Sequence, residues 1–240
     1  MASLLGVAAL VATGCAQEND GAPRLDPPDT SLSAAETASE EARADSMLLT
    51  LDDFPDSWVT LPNATDDMGE VTIDNLARCL GTASPVTELP EARTPGFVSP
   101  VGDLVAARVF LAPDDARPRR AIELLRDEAA PGCYAKAYQS SLAAHRPEGL
   151  PADVEFGTVT GVRLPYTTFG NTTVAWRTSI PLSVDHQDLN LYIDSVVVRV
   201  DRALVELSFE SELRPYDRDQ SERVTQTLVN RVTDAVAEET

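Results

Sequence analysis

The chain has 240 residues, 43% of them hydrophobic and 24% charged, which is ample material for one packed core and too polar for a membrane-embedded protein. A formal net charge of -20, with Lys136 the only lysine among 19 basic residues, disfavours nucleic acid and anionic lipid headgroups as partners, because both repel a negative field and no basic stripe offsets it. The arginine bias fits a GC-rich genome, and the acidity fits a halophile equally well.

The first fifteen residues hold an apolar run, Ser3 to Ala12, that closes on Ala12-Thr13-Gly14-Cys15 and then turns polar and acidic. This pattern resembles a bacterial lipoprotein signal over 1–14, in which small residues admit the peptidase and the Cys15 thiol carries a diacylglycerol anchor of the palmitate type. A spanning helix needs about 20 apolar residues, roughly twice what the run supplies. A buried N-terminal helix of a cytosolic domain is the other alternative, but the linker that follows would hold it away from any core. No Lys or Arg precedes the run and Ala12 stands where Leu or Val is usual, which an internal start at Met1 would explain for the cations.

Residues 16–45 carry eight Asp or Glu against two Arg and almost no large apolar side chain. Such a stretch cannot offset its ordering entropy and is expected to be an acidic, disordered linker from the lipidated Cys15 to residue 45. A short helix over Ala34 to Ala44 is compatible with the Ala and Glu content, without an apolar face to dock. A single globular domain is expected over 46–240.

Within that domain, Phe54-Pro55-Asp56-Ser57-Trp58 reads as a turn with two large apolar anchors, Trp58 packed. A short helix over Thr72 to Leu80 places Ile73, Leu76 and Leu80 on one side, with Cys79 near its end. A Pro-rich connection runs from Pro85 to Pro100. Leu104 to Leu111 reads as a strand apolar on both faces and interrupted only by Arg108, as expected of a strand covered on both sides. Asp114 and Asp115 are placed to cap a helix over Arg117 to Ala129, which Pro131-Gly132 breaks before a second helix over Cys133 to Ala144.

From Val154 the period changes to two, through Val154, Phe156, Val162 and Leu164, then Val174, Trp176, Thr178 and Ile180, then Leu189, Leu191 and Ile193. After Ser195 the parity switches to Val196, Val198 and Val200, which either a bulge or burial of both faces would produce. Ala203, Val205, Leu207 and Phe209 alternate with Leu204, Glu206, Ser208 and Glu210, read as a hairpin strand with one wet face. Val224, Leu228, Val232 and Val236 mark a closing amphipathic helix that should lie across the sheet. The expected fold is α+β, a mostly antiparallel sheet of about five strands with helices packed on one face.

Cys15 being taken by the lipid, Cys79 and Cys133 remain as a pair, with no Cys or His at metal spacing beside either. An oxidising exterior permits a disulfide between them, the alternative being two buried thiols.

The opening Leu48 to Trp58, the paired-Cys helical middle, the strand Tyr192 to Val200 turning into Ala203 to Ser211, and the closing helix together resemble actinobacterial sensor-domain lipoproteins. Over Met47 to Glu239 the chain is similar to the extracellular sensor domain of PknH-type serine/threonine kinases, here freestanding. It differs in offering one cysteine pair where that domain has two, and Asp201 where a turn glycine is more usual. The resemblance implies a fold and a binding or sensing role, with no ligand residues transferred.

Hydrolase, zinc-protease, redox, P-loop and dinucleotide motifs are all missing from the sequence. His145 and His186 sit in polar, loop-like surroundings, and the acidic pairs Asp52-Asp53, Asp66-Asp67 and Asp114-Asp115 lack the ligand spacing of a calcium loop. Neither a metal nor a cofactor is expected. Asn63 and Asn171 open glycosylation sequons of the kind that arise by chance. Tyr166, Phe169, Trp176 and Tyr192 form the candidate ligand-binding set, amphipathic rings for a small apolar or cell-wall-derived molecule, against the simpler reading that they fill the core. The expected function is a non-catalytic ligand-binding or sensing module on the extracytoplasmic face of the cell membrane, held there by its lipid anchor. Its partner would be an unidentified small molecule or envelope protein. The alternatives are an envelope hydrolase without a local motif and a scaffold that docks an envelope protein.

Overall fold

The computed structural model describes residues 32–62, 73–144, 154–184 and 187–238. Cys15, His145, His186, Asp66, Asp67 and the sequon at Asn63 lie outside them.

The described chain runs α1 (Ala34–Met47), β1 (Val59–Leu61), α2 (Ile73–Cys79), β2 (Glu91–Arg93), β3 (Gly96–Val98), β4 (Leu104–Leu111), α3 (Ala116–Leu125), α4 (Ala130–Ala144), β5 (Glu155–Phe156), β6 (Thr160–Arg163), β7 (Thr172–Val184), β8 (Gln187–Val200), β9 (Ala203–Glu212) and α5 (Arg218–Ala237). The strands form one antiparallel sheet in the order β1-β3-β4-β9-β8-β7-β5, with β2 also on β4 and β6 also on β7. Four long strands make its centre. The sheet is larger than the expected five because β1, β2, β3, β5 and β6 are two to four residues long, too short to show a period, and two of them fall inside the Pro-rich connection.

The helices cover both faces, which corrects the expected one. Val105, Val109, Leu207, Phe209, Val196 and Val198 form one layer with α1 and α5, through Met47, Leu228 and Val232. Phe110, Leu204, Val197, Ile193, Trp176 and Ile180 form the other with α2, α3 and α4, through Leu76, Ile122 and Tyr134. The pairing of β8 with β7 and with β9 runs without a skipped residue through Trp176↔Ser195 and Ser195↔Ser208. No bulge exists at Ser195, so the parity switch records burial of both faces.

Helix α1 also departs from expectation. It opens on a capping box in which the Ser33 hydroxyl and the Glu36 carboxylate satisfy each other's backbone N–H groups. Its inner stripe of Thr37, Glu40, Ala44 and Met47 is mostly small or polar, yet it docks: Ala44 and Met47 are buried, Arg202 donates to Glu40 at 3.0 Å, and Arg43 donates to the Ala235 carbonyl of α5. Residues 34–45 are thus part of the folded body and not of the linker. Small side chains let the helix approach closely, and polar partners do the work that a hydrophobic stripe would otherwise do.

Other local expectations hold. Trp58 is buried and stacks on Phe54, ring centroids 4.8 Å apart. The Asp114 carboxylate accepts from the Ala116 N–H at the start of α3. The break between the two helices is not at Pro131-Gly132 as expected: α3 ends at Leu125, and Pro131 and Gly132 lie in the first turn of α4, where the missing proline N–H costs nothing. Asp201 adopts φ +49° in the β8–β9 turn, and its backbone N–H and carboxylate are both bound by the Asn171 side chain, which holds a non-glycine residue in the left-handed region.

Candidate functional site

The face under α2, α3 and α4 carries a polar centre in an apolar layer. Alternation on β9 puts Leu204, Glu206, Ser208 and Glu210 on this face, and the register sets Arg108 beside Glu206, Ala106 beside Ser208 and Leu104 beside Glu210. On the other side of β9 lie Val197, Ser195 and Ile193, and beyond them, on β7, Val174, Trp176 and Thr178. The face of β9 expected to be wet is therefore roofed: Leu204 and Glu206 are buried, while Ser208 and Glu210 are half-buried. Arg108 Nη2 donates to Glu206 Oε2 at 2.9 Å, both side chains being about nine-tenths buried. The Arg108 guanidinium also lies over the Phe110 ring, 5.4 Å from its centroid.

Helix α4 is held onto this floor by three devices. The Cys79–Cys133 disulfide ties it to α2. Gly161 on β6 lets it sit directly on the sheet, since a Cβ there would stand 2.1 Å from the Pro131 carbonyl oxygen. Gln139 accepts the Val159 N–H at 2.8 Å, and Arg163 caps the end of α3 by donating to the Leu125 and Asp127 carbonyls at 2.6 and 2.9 Å. So fixed, α4 lowers the Tyr134 ring onto Trp176, centroids 4.4 Å apart.

Three polar atoms in this region are buried without a hydrogen-bond partner: Tyr134 Oη, Trp176 Nε1 and Thr178 Oγ1. Each such atom costs roughly 1–3 kcal/mol when it stays unsatisfied, so three clustered on one face mark a place where polar matter belongs. The electrostatics agree. Burial pushes the Tyr134 phenol well above its ordinary value, with Glu206 and Tyr138 adding to the rise and Arg108 opposing it. Burial raises the Glu210 carboxyl to about 7, against a small opposing effect from Ser208 Oγ, 3.4 Å away. Among the described residues there is no group of three His, Cys, Asp or Glu side chains able to hold a metal ion.

The four aromatic residues expected to form one ligand set are not brought together. Trp176 is on this face, and Tyr166, Phe169 and Tyr192 are on the other. Tyr166 Oη bonds Ser221 Oγ and Thr225 Oγ1 of α5, both at 3.1 Å, with Phe169 edge-on to its ring, 6.2 Å between centroids. Tyr192 is half-buried beside Arg177, whose guanidinium forks onto Asp194 at 2.6 and 2.7 Å. Phe169 and Tyr166 thus pack the α5 side of the core. The residues missed from sequence are Arg108, Glu206, Ser208, Glu210, Ser195, Thr178 and Tyr134. Arg108 is visible as the one charge in an apolar strand, but its partner lies 98 positions away and only the register brings them together.

Neither a family model nor a curated protein matches the chain. Among solved structures, the extracellular domain of PknH from Mycobacterium tuberculosis is 10% identical, with 82% of this chain and 96% of that one covered at a TM-score of 0.39. LpqN, a protein involved in cell envelope biogenesis of Mycobacterium tuberculosis, is 15% identical, with 73% and 77% covered at a TM-score of 0.28.

Proposed function

We propose that this chain is a lipid-anchored ligand-binding or sensing module working outside the cytoplasm, and that it binds its ligand between the sheet and α4. The observation that carries this reading is the set of three buried, unpartnered polar atoms, Tyr134 Oη, Trp176 Nε1 and Thr178 Oγ1, beside the Arg108–Glu206 pair. A fold that only needed stability would have filled these positions with apolar side chains. The anchor at Cys15, the extracytoplasmic location and the absence of catalysis belong to the same reading, which the Cys79–Cys133 disulfide supports, since such bonds persist in oxidising compartments. The chain has two tryptophans, so the Trp176 indole N–H is a single assignable resonance in a nitrogen-15 spectrum once Trp58→Phe identifies the other. A screen of envelope-derived small molecules should shift the Trp176 signal and leave Trp58 in place; hits that move neither indole would count against this site.

One observation favours an envelope hydrolase as a second reading. A carboxyl titrating near 7, as Glu210 does, is suited to general acid catalysis. Turnover of any envelope ester or glycoside that Glu210→Gln abolishes would establish it.

A further inference from the structure

We propose that β1, the outer strand at one end of the sheet, is a docking edge that takes an extended basic segment of a partner protein as a further strand. Strands β3 and β4 stand between it and the polar residues of β9, so this edge is a surface separate from the site proposed beneath α4.

In the strand order β1-β3-β4-β9-β8-β7-β5, β1 has a neighbour on one side only. Its residues pair with β3 through Val59↔Val98, Thr60↔Phe97 and Leu61↔Gly96. Backbone N–H and C=O groups point alternately to the two sides of a strand, so β1 turns a donor and an acceptor outward that no described strand meets. The usual protections of such an edge are missing: Val59 is 59% exposed, Leu61 is 47% exposed, and no charged side chain stands on the strand. Only Pro62, which has no N–H, limits the template by closing it after three residues. Val59 and Leu61 share a face, and the register continues their apolar row through half-buried Val98 and Leu104. The edge is also rigidly held. It leads out of Trp58, whose ring stacks on Phe54 at 4.8 Å, and Phe54 stacks on Phe97 of β3 at 4.7 Å, so little freedom is left to lose on docking.

Charge selects the occupant. The stretch from Ala44 to Ala107, which supplies α2, β1, β2, β3 and the start of β4, contains eleven Asp or Glu and two Arg, and one of those, Arg93, is paired with Glu91 at 2.6 Å. In the turns that precede β1, Asp52 and Asp56 are exposed without an ion pair among the described residues, while Asp53 is taken by Arg231 at 2.8 Å. Asp103 lies half-buried in the turn that follows Val98, the residue opposite Val59. A second copy of this chain would set two such acidic edges against each other, each on a body of charge -20, so the edge disfavours pairing with itself. A segment with apolar residues at alternate positions and Lys or Arg between them satisfies the outward backbone groups, extends the apolar row and neutralises the field.

The test uses the full chain and three end-capped synthetic hexapeptides: one alternating valine with arginine, one alternating valine with glutamate, and a fully N-methylated form of the first, which keeps its charge and has no N–H to donate. Binding is read from the backbone amide resonances of Val59, Thr60 and Leu61. The basic peptide should move all three and bind about ten-fold more tightly than either of the others, and its advantage over the acidic peptide should shrink as salt is added. Val59→Lys combined with Leu61→Lys, both at exposed positions where the fold is indifferent, should reverse the preference toward the acidic peptide. Absence of binding by the basic peptide at millimolar concentration, equal affinity for all three, shifts that leave β1 untouched, or a basic preference that survives the double substitution each overturns the proposal. Self-association of the peptide-free chain that maps to Val59, Thr60 and Leu61 overturns the basic partner in favour of a second copy.

Discussion

At the scale of single residues, the molecule places charge where apolar packing would have been simpler. Arg108 and Glu206 are held at 2.9 Å in the middle of a sheet face, an arrangement that contributes little net stability, because desolvating both groups offsets most of their attraction. Glu210 costs stability outright at neutral pH. Its carboxyl is raised from an ordinary 4.5 to about 7 by burial, so between those values the folded chain retains a proton that the unfolded chain has released. Stability therefore falls as pH rises through that window and levels off above it. Glu210→Gln, which mimics the protonated form, should leave the melting temperature unchanged at pH 4. At pH 8 it should raise it by a few degrees, corresponding to about 1–2 kcal/mol after solvent screening. An equal shift at both pH values would deny that Glu210 titrates as described. Residue types alone could not reveal this: Glu206, Ser208 and Glu210 look like a solvated stripe, and only the packed structure shows Glu206 buried and Ser208 and Glu210 half-buried.

At the scale of elements, what could be read from the sequence follows from length and period. Strand β4 and the runs that became β7, β8 and β9 each repeat often enough to declare their alternation, and α5 repeats Val224, Leu228, Val232 and Val236 over its length. The short strands had no such repeat. Helix α1 failed for a different reason: it docks through Glu40–Arg202, Arg43 to a carbonyl, and the small Ala44, none of which a hydrophobic pattern detects. The cysteine pair was legible as a pair by counting, and the structure gives it a mechanical role, since it joins α2 to the helix whose Tyr134 packs on Trp176. The bond spans 54 positions, for which the loss of chain entropy on closure predicts that Cys79→Ala with Cys133→Ala costs about 4 kcal/mol in urea unfolding. A loss below about 1 kcal/mol would mean that α2 and α4 are fixed without it.

At the scale of the whole molecule, the sheet separates two different interiors. The side under α1 and α5 is largely apolar, with Tyr166 satisfied by Ser221 and Thr225 and Tyr216 Oη buried without a partner, and the side under α2, α3 and α4 holds three such atoms, Tyr134 Oη, Trp176 Nε1 and Thr178 Oγ1, together with the Arg108–Glu206 pair. The asymmetry explains why an aromatic set chosen from sequence failed as a unit: Trp176 and Tyr192 are on adjacent strands but opposite parities, so they face opposite interiors. The Cys79–Cys133 crosslink supports the proposed extracytoplasmic location, since such bonds persist in oxidising compartments. A clickable fatty acid fed to the expressing cell should label the full chain and fail to label Cys15→Ser, which should then be recovered in the soluble fraction; label on the variant would remove Cys15 as the anchor.

Whether the polar floor beneath α4 is a binding site is tested most directly by native mass spectrometry of the protein extracted gently from the envelope of its own host. The account predicts a small-molecule adduct on the wild-type chain that is lost from Tyr134→Phe, which removes one of the three unpartnered polar atoms and keeps the ring on Trp176. A wild-type chain that always flies bare, or an adduct equally abundant on the variant, would contradict it.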